Sequence, residues 1–262
     1  NIKKEIKKFK FYIFGKINLM KYYYLEKVDS TNKFAKDNLS NLDNMSIIYT
    51  SNQTNGKGRL GRKWNFQGAD NIYATIVIKP ETQFKEVYSN LTQYLCVILA
   101  QIFEEYGVNP QIKWPNDIRI NSKKISGILA EAIIEKDIVK GLILGFGINL
   151  NCKKESLAQI NQPATSLNIE IYKTVNKEEF LKKLVENFCL NYDKFINCGF
   201  PLIKDYYLAK AEFLNQEISV RVLDKVYTGI AVDITDDGAL KLIDNRNNSQ
   251  TLFIGDILWM NY

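Results

Sequence analysis

Apolar residues divide the first 214 residues of the chain into a series of strands and helices. Short alternating runs predict strands over residues 21–28, 46–50, 71–79, 111–114, 126–135 and 138–147. Helical spacing predicts helices over residues 91–106, 180–196 and 202–213, and the capping residues Asp29 to Asn32 begin a further helix that continues to Leu39. This order predicts a mixed sheet that is covered by helices.

The period of the apolar residues changes to two after Glu217. The segments ISVRVL, YTGIAVDI, ALKLID and TLFIGDILWM read as short strands joined by turns. Such closely spaced strands predict a small barrel at the C-terminus. We therefore divide the chain into a basic extension (1–19), a catalytic domain (20–214) and a barrel (215–262).

The lysine-rich start carries most of the net charge of the chain. Residues 1–19 hold six lysines and one glutamate, which is +5 of the total +6. The remaining residues are nearly neutral, whereas phosphate-backbone binding needs a dense basic surface, so we expect no specific DNA binding. We expect the segment to be a solvated extension, with the first strand beginning at Met20.

Composition excludes several classes of site. The chain has no histidine, and its four cysteines form no C-x-x-C pair, which argues against a Cys/His zinc site or a histidine-based triad. It has no apolar run long enough for a membrane span, and free thiols suit the reducing cytoplasm. The chemistry must therefore use lysine, arginine, carboxylate, amide and backbone groups.

A basic glycine loop, GKGRLGRKW over residues 56–64, is the richest candidate for chemistry. It matches the dinucleotide fingerprint G-x-G-x-x-G, but that motif needs a helix after the glycines, and here loop and strand follow. Its glycines allow backbone N–H groups to approach an anion, and its cations supply the opposite charge. An exposed basic turn is the alternative interpretation.

Two further segments suggest a ligand site near this loop. KWPND (113–117) precedes KKISGI (123–128), which brings Asp117 and Lys124 to the same end of a sheet across a tight turn. GFGINLN (145–151) ends a strand with alternating glycines, which is typical of close backbone approach. Together these segments predict a site for a flat, anionic ligand.

These motifs, with Asp29 to Asn32, resemble the biotin protein ligase family in both order and spacing, from about residue 22 to residue 262. The resemblance implies an α+β fold: a catalytic domain similar to that of class II aminoacyl-tRNA synthetases, plus a C-terminal SH3-like barrel. The family's loop usually reads G-R-G-R-x-G-R, so Lys57 replaces an arginine and loses its planar fork. About twenty residues precede the catalytic domain, too few for the winged-helix domain of some members, so we expect no transcriptional repression.

The resemblance also implies where the substrates bind. The biotin-binding residues would be Ser30, Thr31, Asn32, Gln53, Lys57, Gly58, Arg59, Lys124, Gly145 and Gly147. The ATP- or adenylate-binding residues would be Gly56, Lys57, Arg59, Arg62, Trp64, Asn116, Lys124 and Asn149. Lys124, Arg59 and Asp117 would be catalytic, and no residue is assigned to a metal site of the protein.

The implied activity is ATP-dependent attachment of biotin to a lysine of a biotin carboxyl carrier protein, through biotinyl-5'-AMP. Mg²⁺ would accompany ATP, and no membrane takes part. A lipoate–protein ligase and a non-enzymatic biotin-binding regulator are the alternatives. The sequence leaves open whether the protein is a monomer or a homodimer.

Overall fold

An eight-stranded mixed sheet forms the larger part of the protein in the computed structural model, which describes residues 4–13, 16–65, 67–80 and 86–258. Its strands are β1 (Lys4–Ile13), β2 (Lys16–Leu25), β3 (Ile47–Thr50), β6 (Ile72–Ile78), β7 (Pro110–Lys113), β8 (Asp117–Ile120), β9 (Lys123–Glu135) and β10 (Ile138–Ile148). They lie in the order β1-β2-β3-β6-β10-β9-β8-β7. Strands β2 and β3 are parallel, and the other neighbours are antiparallel.

Both faces of this sheet are covered, because successive residues of a strand point to opposite sides. Ile47 and Ile76 pack into the large core on one face, while Ile48, Val77 and Ile143 pack into a smaller core on the other. Helix α1 (Thr31–Asp37) covers the smaller core. The larger core is covered by α2 (Leu91–Glu105), α5 (Lys177–Leu190), α6 (Tyr192–Cys198) and α7 (Pro201–Ala209).

Short elements connect these layers. A two-stranded ribbon, β4 (Gly56–Lys57) with β5 (Lys63–Trp64), carries the basic glycine loop, and the small helices α3 (Lys154–Leu157) and α4 (Leu167–Ile171) follow β10. Single 3-10 turns lie at Leu39–Asn41, Arg59–Gly61 and Glu86–Asn90. Among the helices described, none is long and apolar enough to cross a membrane.

The C-terminal residues form a separate antiparallel sheet of five strands, in the order β14-β13-β12-β11-β15. Its strands are β11 (Glu217–Val222), β12 (Lys225–Ile234), β13 (Leu240–Ile243), β14 (Ser249–Leu252) and β15 (Asp256–Leu258). The turn before β13 is clamped to the larger part: Trp114 Nε1 and Gln93 Nε2 both donate to Gly238 O, at 3.1 and 2.8 Å. Apolar residues of both sheets share one core, so the two parts pack together.

Several sequence predictions differ from these elements. Residues 4–13, within the predicted extension, pair as an edge strand with β2, which begins at Lys16 rather than at Met20. Strand β8 was not predicted, and the predicted helix over 180–196 is two helices that break at Asn191. The predicted last strand is also two, β14 and β15, because Gly255 takes a φ of +149° between them. The division into domains at residue 214 stays a prediction.

Candidate functional site

A cleft of about 740 Å³, part of it open to solvent, lies on the face of the sheet that α1 covers. It is bordered by α1, the basic glycine loop, strands β9 and β10, and one residue of the C-terminal sheet. Fourteen of the predicted site residues line it: Ser30, Thr31, Asn32, Gln53, Lys57, Gly58, Arg59, Arg62, Trp64, Asn116, Asp117, Lys124, Gly145 and Gly147. Segments far apart in sequence therefore meet at one place.

The first residues of α1 enter the cleft because Ser30 begins the helix. Its side chain accepts a hydrogen bond from the backbone N–H of Lys33 at 3.4 Å, as expected of a residue at the helix N-cap. Thr31 and Asn32 follow in the first turn, and all three polar side chains are buried. Buried polar groups need hydrogen-bond partners, and these come from the loop after β3, from β6 and from β9, where Asn32 Nδ2 donates to Glu131 Oε2 at 2.8 Å.

A polar network links α1 to the loop after β3 and to β6. The backbone N–H and the hydroxyl of Thr31 both donate to Gln53 Oε1, at 3.0 and 3.2 Å. The hydroxyl of Thr75 donates to Asn32 Oδ1 at 2.7 Å and lies 2.8 Å from the Thr31 hydroxyl. The network fixes the orientation of these side chains before any ligand arrives.

Three glycines leave room for the side chains above the sheet. A Cβ on Gly145 would lie 2.0 Å from Asn32 Oδ1, and one on Gly147 would lie 2.2 Å from the Trp64 indole. A Cβ on Gly127, which pairs with Gly147 across β9 and β10, would lie 2.9 Å from the same ring. Only glycine allows Asn32 and Trp64 to approach the strands this closely, and a flat ligand could use the same space.

The indole of Trp64 lies at the mouth of this slot. The ammonium of Lys124 lies 5.5 Å from the centre of its ring, within the range of a cation–π contact. The indole N–H has no hydrogen-bond partner among the described residues, so it can donate to a ligand. Trp64 thus offers a flat apolar face and one donor.

The cationic side of the cleft is built on the β8–β9 hairpin. Asn121 and Ser122 both take positive φ in its two-residue turn, and the Nζ of Lys124 lies 2.8 Å from Asp117 Oδ1. Both side chains are mostly buried, at 17% and 15% exposure. The predicted approach of these two residues across a tight turn is confirmed, although the strand that Asp117 begins was not predicted.

Arg59 comes from the basic glycine loop and reaches the same end of the cleft. Its Nη1 donates to Asn116 Oδ1 at 3.2 Å, and Asn116 in turn donates through Nδ2 to Ile128 O at 2.6 Å. Burial lowers the pKa of Arg59, while the nearby charge of Asp117 raises it. Since an arginine pKa lies far above neutrality, the guanidinium stays charged and can bind an anion.

Two predicted site residues do not line the main cleft. Asn149 lines a smaller adjoining cavity of about 340 Å³ with Trp64 and Lys124, and its amide donates to Thr165 O at 3.0 Å. Gly56 lies behind the loop, where a Cβ would be 2.4 Å from Gln53 Nε2 and 2.6 Å from Trp64 O. Gly56 therefore permits the pairing of β4 with β5 and supports the site from outside.

Asp256 is the most important lining residue that the sequence analysis missed. It begins β15, yet its carboxylate contacts both Arg59, at 3.2 Å, and Arg62. Nothing in its local sequence indicates this role, because the contact depends on how the two sheets pack. Other lining residues that were not predicted are Lys63, Ala74, Gly127, Ile128, Leu129, Phe146 and Gln162.

Comparisons with known proteins agree with this geometry. The model of the Biotin/lipoate A/B protein ligase family matches residues 24–149, and that of the Biotin protein ligase C terminal domain matches residues 213–256. The biotin–[acetyl-CoA-carboxylase] ligase of Paracoccus denitrificans is 30% identical over 226 residues, which cover 83% of this chain and 92% of that protein. The chain belongs to the biotin protein ligase family.

Further relatives extend the comparison. The bifunctional ligase/repressor BirA of Bacillus subtilis is 29% identical over 237 residues, 89% of this chain and 72% of that protein. The structure of the Aquifex aeolicus biotin protein ligase in complex with biotin and ATP superposes with a TM-score of 0.75 at 28% identity, covering 90% of this chain and 97% of that one. The predicted fold class, a mixed sheet with helices and a small C-terminal β domain, is confirmed.

The two ends of the cleft differ in their chemistry. One end carries the buried polar network, the middle is a slot over glycines, and the other end carries Arg59 and Lys124. Among the described residues, no group of three carboxylate or thiol side chains lies close enough together to hold a metal ion.

Proposed function

We propose that the protein activates biotin with ATP to form biotinyl-5'-AMP and then transfers the biotinyl group to a lysine of a biotin carboxyl carrier protein. The observation that carries the proposal is the meeting, in one cleft, of a buried polar network and two mostly buried cations across a glycine slot. This spacing suits a ligand with a polar ring at one end and a carboxylate at the other.

The polar network is the proposed site of the ureido ring of biotin. A urea carries two N–H donors and one carbonyl acceptor, and all need partners when the ring is buried. Ser30, Thr31, Asn32 and Gln53 supply hydroxyl and amide groups that can both donate and accept. Gly145 and Gly147 would let the ring lie close to β10, with the tail directed toward Lys124.

In the first step a carboxylate oxygen of biotin attacks the α-phosphorus of ATP, and pyrophosphate leaves. The reacting groups are both anionic, so cations must offset their repulsion and the charge that develops at phosphorus. Arg59 and Lys124 lie at the same end of the cleft, where they would hold the carboxylate and the α-phosphate. Mg²⁺, bound to the phosphates of ATP, would neutralise further charge.

The remaining loop and slot residues would hold the nucleotide. Trp64 can stack on the adenine ring. Asn116 lines the main cleft with Trp64 and Lys124, and Asn149 lines the adjoining cavity with the same two residues. The other adenylate contacts that we propose come from the loop residues Lys57 and Arg62, while Gly58 lies beside the biotin carboxylate. Gly56 supports the loop from outside the cleft.

In the second step the amine of the acceptor lysine attacks the acyl carbon of biotinyl-5'-AMP, an amide forms and AMP leaves. Only the uncharged amine is nucleophilic, so the lysine must lose a proton before it attacks. Asp117 lies at the cationic end of the cleft, where its carboxylate can accept a hydrogen bond from the incoming amine. Docking of the carrier would supply the alignment.

We place this reaction in the cytoplasm, because all four cysteines are free thiols. The acetyl-CoA carboxylase named in the relatives suggests its carrier protein as the acceptor. We propose no specific DNA partner, and a homodimer is compatible with the proposal without being required by it. The lipoate alternative is less favoured, because the C-terminal match is to a biotin ligase domain.

Transfer to a purified carrier domain tests the proposal. We expect ATP, Mg²⁺ and biotin to add one biotinyl group to one lysine, as measured by intact-protein mass spectrometry and peptide mapping. Lipoate in place of biotin should give no product. Transfer of lipoate, or biotin binding without any transfer, would contradict the proposal and support one of the two alternative functions.

A further inference from the structure

The basic glycine loop is attached to the rest of the protein by few backbone contacts. Two residue pairs join β4 to β5, and Gly58 N donates to Arg62 O at 2.8 Å to close the tip. The tip bends because Leu60 and Gly61 both take positive φ, and the Leu60 side chain is 61% exposed. The position of the tip must therefore depend on side-chain contacts.

The two arginines of the tip share one carboxylate. Asp256 Oδ1 lies 3.2 Å from Arg59 Nη1, and Asp256 Oδ2 contacts Arg62 Nη2. Asp256 is only 13% exposed and Arg59 21%, whereas Arg62 is 57% exposed. Solvent weakens the Arg62 contact more than the Arg59 contact, so the inner pair contributes most.

The backbone around Asp256 is paired in a sheet and closely packed. It pairs with Arg221 across β15 and β11, and Gly255 before it is so tightly packed that a Cβ would lie 2.6 Å from Val220 Cγ1. The sheet itself is tied to the KWPND motif by the hydrogen bond from Trp114 to Gly238. The C-terminal sheet thus sets the distance between Asp256 and the cleft.

We infer that Asp256 is a positioning residue, which holds the basic loop across the cleft through Arg59 and Arg62 and thereby retains the acyl-adenylate until the acceptor arrives. The retention half of this inference rests on the proposed function; the loop-holding half does not. This role would give the C-terminal sheet a part in the reaction, although Asp256 is the one residue of the described part of that sheet that lines the cleft.

Limited trypsin digestion tests the loop contact without any substrate. Trypsin cleaves after lysine and arginine, and cleavage of a native protein follows the population of its locally open form. The loop offers four such sites, at Lys57, Arg59, Arg62 and Lys63. We expect Asp256→Asn to increase the cleavage rate within the loop by about threefold to tenfold, and tenfold corresponds to about 1.4 kcal/mol. Cleavage outside the loop should be unchanged, and Asp224→Asn, which changes an exposed carboxylate of the same sheet, should behave as the unmodified protein does.

Arg62→Gln removes the Arg62 part of the contact with Asp256 from the loop side. It provides a second variant if Asp256→Asn folds poorly. Residues that act through one contact are not additive, so the double variant should open the loop little more than Asp256→Asn alone. Equal cleavage of Asp256→Asn and Asp224→Asn at the loop would overturn the inference.

Escape of the adenylate tests retention. After one round of activation without a carrier, rapid filtration should recover biotinyl-5'-AMP in solution about threefold to tenfold faster from Asp256→Asn than from Asp224→Asn. Faster loop cleavage without faster escape would overturn the retention half. If the unmodified protein forms no adenylate, the proposed function fails, while the trypsin result still decides the loop contact.

Discussion

Lys124 is held in position from three directions. Asp117 pairs with its ammonium at 2.8 Å, the Trp64 ring lies beneath it at 5.5 Å, and its backbone N–H donates to Pro163 O at 2.9 Å. A long flexible side chain loses rotamer entropy when it is fixed in this way. Because the fold fixes it at the open end of the glycine slot, the position suits charge stabilisation in a bound anion.

Replacing this lysine tests its part in the first step. Lys124→Ala should slow biotin-dependent pyrophosphate release by a factor on the order of 10²–10³, as loss of one preorganised donor does. Lys124→Arg should rescue only partly, because the guanidinium fork is larger and differently shaped. Lys123→Ala removes the exposed neighbouring lysine and should be nearly neutral; equal rates for the two alanine variants would exclude the role proposed for Lys124.

Replacing Gly145 tests whether the ligand lies close to β10 in the glycine slot. In Gly145→Ala the new Cβ would lie 2.0 Å from Asn32 Oδ1, so Asn32 must move and its hydrogen bond from Thr75 must break. Overpacking typically costs 1–3 kcal/mol, so we expect the KM for biotin to rise by about tenfold or more.

Gly141→Ala is the matched control on the same strand. Its Cβ would meet the far end of the Leu39 side chain at 2.9 Å, which can turn aside, and would lie 3.4 Å from Ile78 O, an ordinary contact. An unchanged KM in Gly145→Ala, with stability equal to that of Gly141→Ala, would contradict the close approach of the ligand to this strand.

Lys113 gives the fold a measurable pH dependence. Burial lowers its pKa from 10.5 to about 8, while the charge of Asp117 acts in the opposite direction. Between these two pH values the unfolded chain binds more protons at this lysine than the folded protein does, so the free energy of unfolding rises with pH.

Urea unfolding at pH 8 and pH 10 should show this effect. The unmodified protein should gain stability relative to Lys113→Met as the pH rises, whereas its difference from Lys123→Met should stay constant. A constant difference from Lys113→Met as well would show that Lys113 is not perturbed by burial.

At the scale of elements, we propose that the basic glycine loop retains the intermediate. Arg59→Gly removes the contacts of the Arg59 side chain with Asn116 and Asp256 and adds backbone freedom at the tip. We expect more biotinyl-5'-AMP to escape and to label exposed lysines of an unrelated protein. Arg246→Gly, an exposed substitution in the C-terminal sheet, is the control; equal off-target labelling and equal carrier transfer in both would refute closure by the loop.

The elements differ in how far sequence alone could predict them. Strong apolar patterns located α2, β6 and β10 to within a residue or two. Strand β8 was missed because it has only four residues, most of them in the short segment between the KWPND and KKISGI motifs. Strand β1 was missed because its lysines dominated the interpretation, although Phe9, Phe11 and Ile13 alternate with polar neighbours. The resemblance to the family implied most of the residues that line the cleft.

At the scale of the whole molecule, packing supplies what local patterns cannot. Asp256 enters the cleft because the C-terminal sheet is clamped to Trp114 and Gln93 through Gly238. No motif marks that aspartate, and its two partners lie about two hundred residues away in sequence. The same packing brings α1, the loop and the β8–β9 hairpin to one cleft.

Biotin-dependent pyrophosphate release in the absence of any carrier tests the central claim most directly. With ATP and Mg²⁺, biotin should produce a rapid burst of about one pyrophosphate per active site, followed by slow release as the adenylate escapes. Lipoate should produce no burst, and Lys124→Ala should abolish the burst with biotin while Lys123→Ala preserves it. No burst with biotin, or an equal burst with lipoate, would contradict the proposal that this cleft activates biotin.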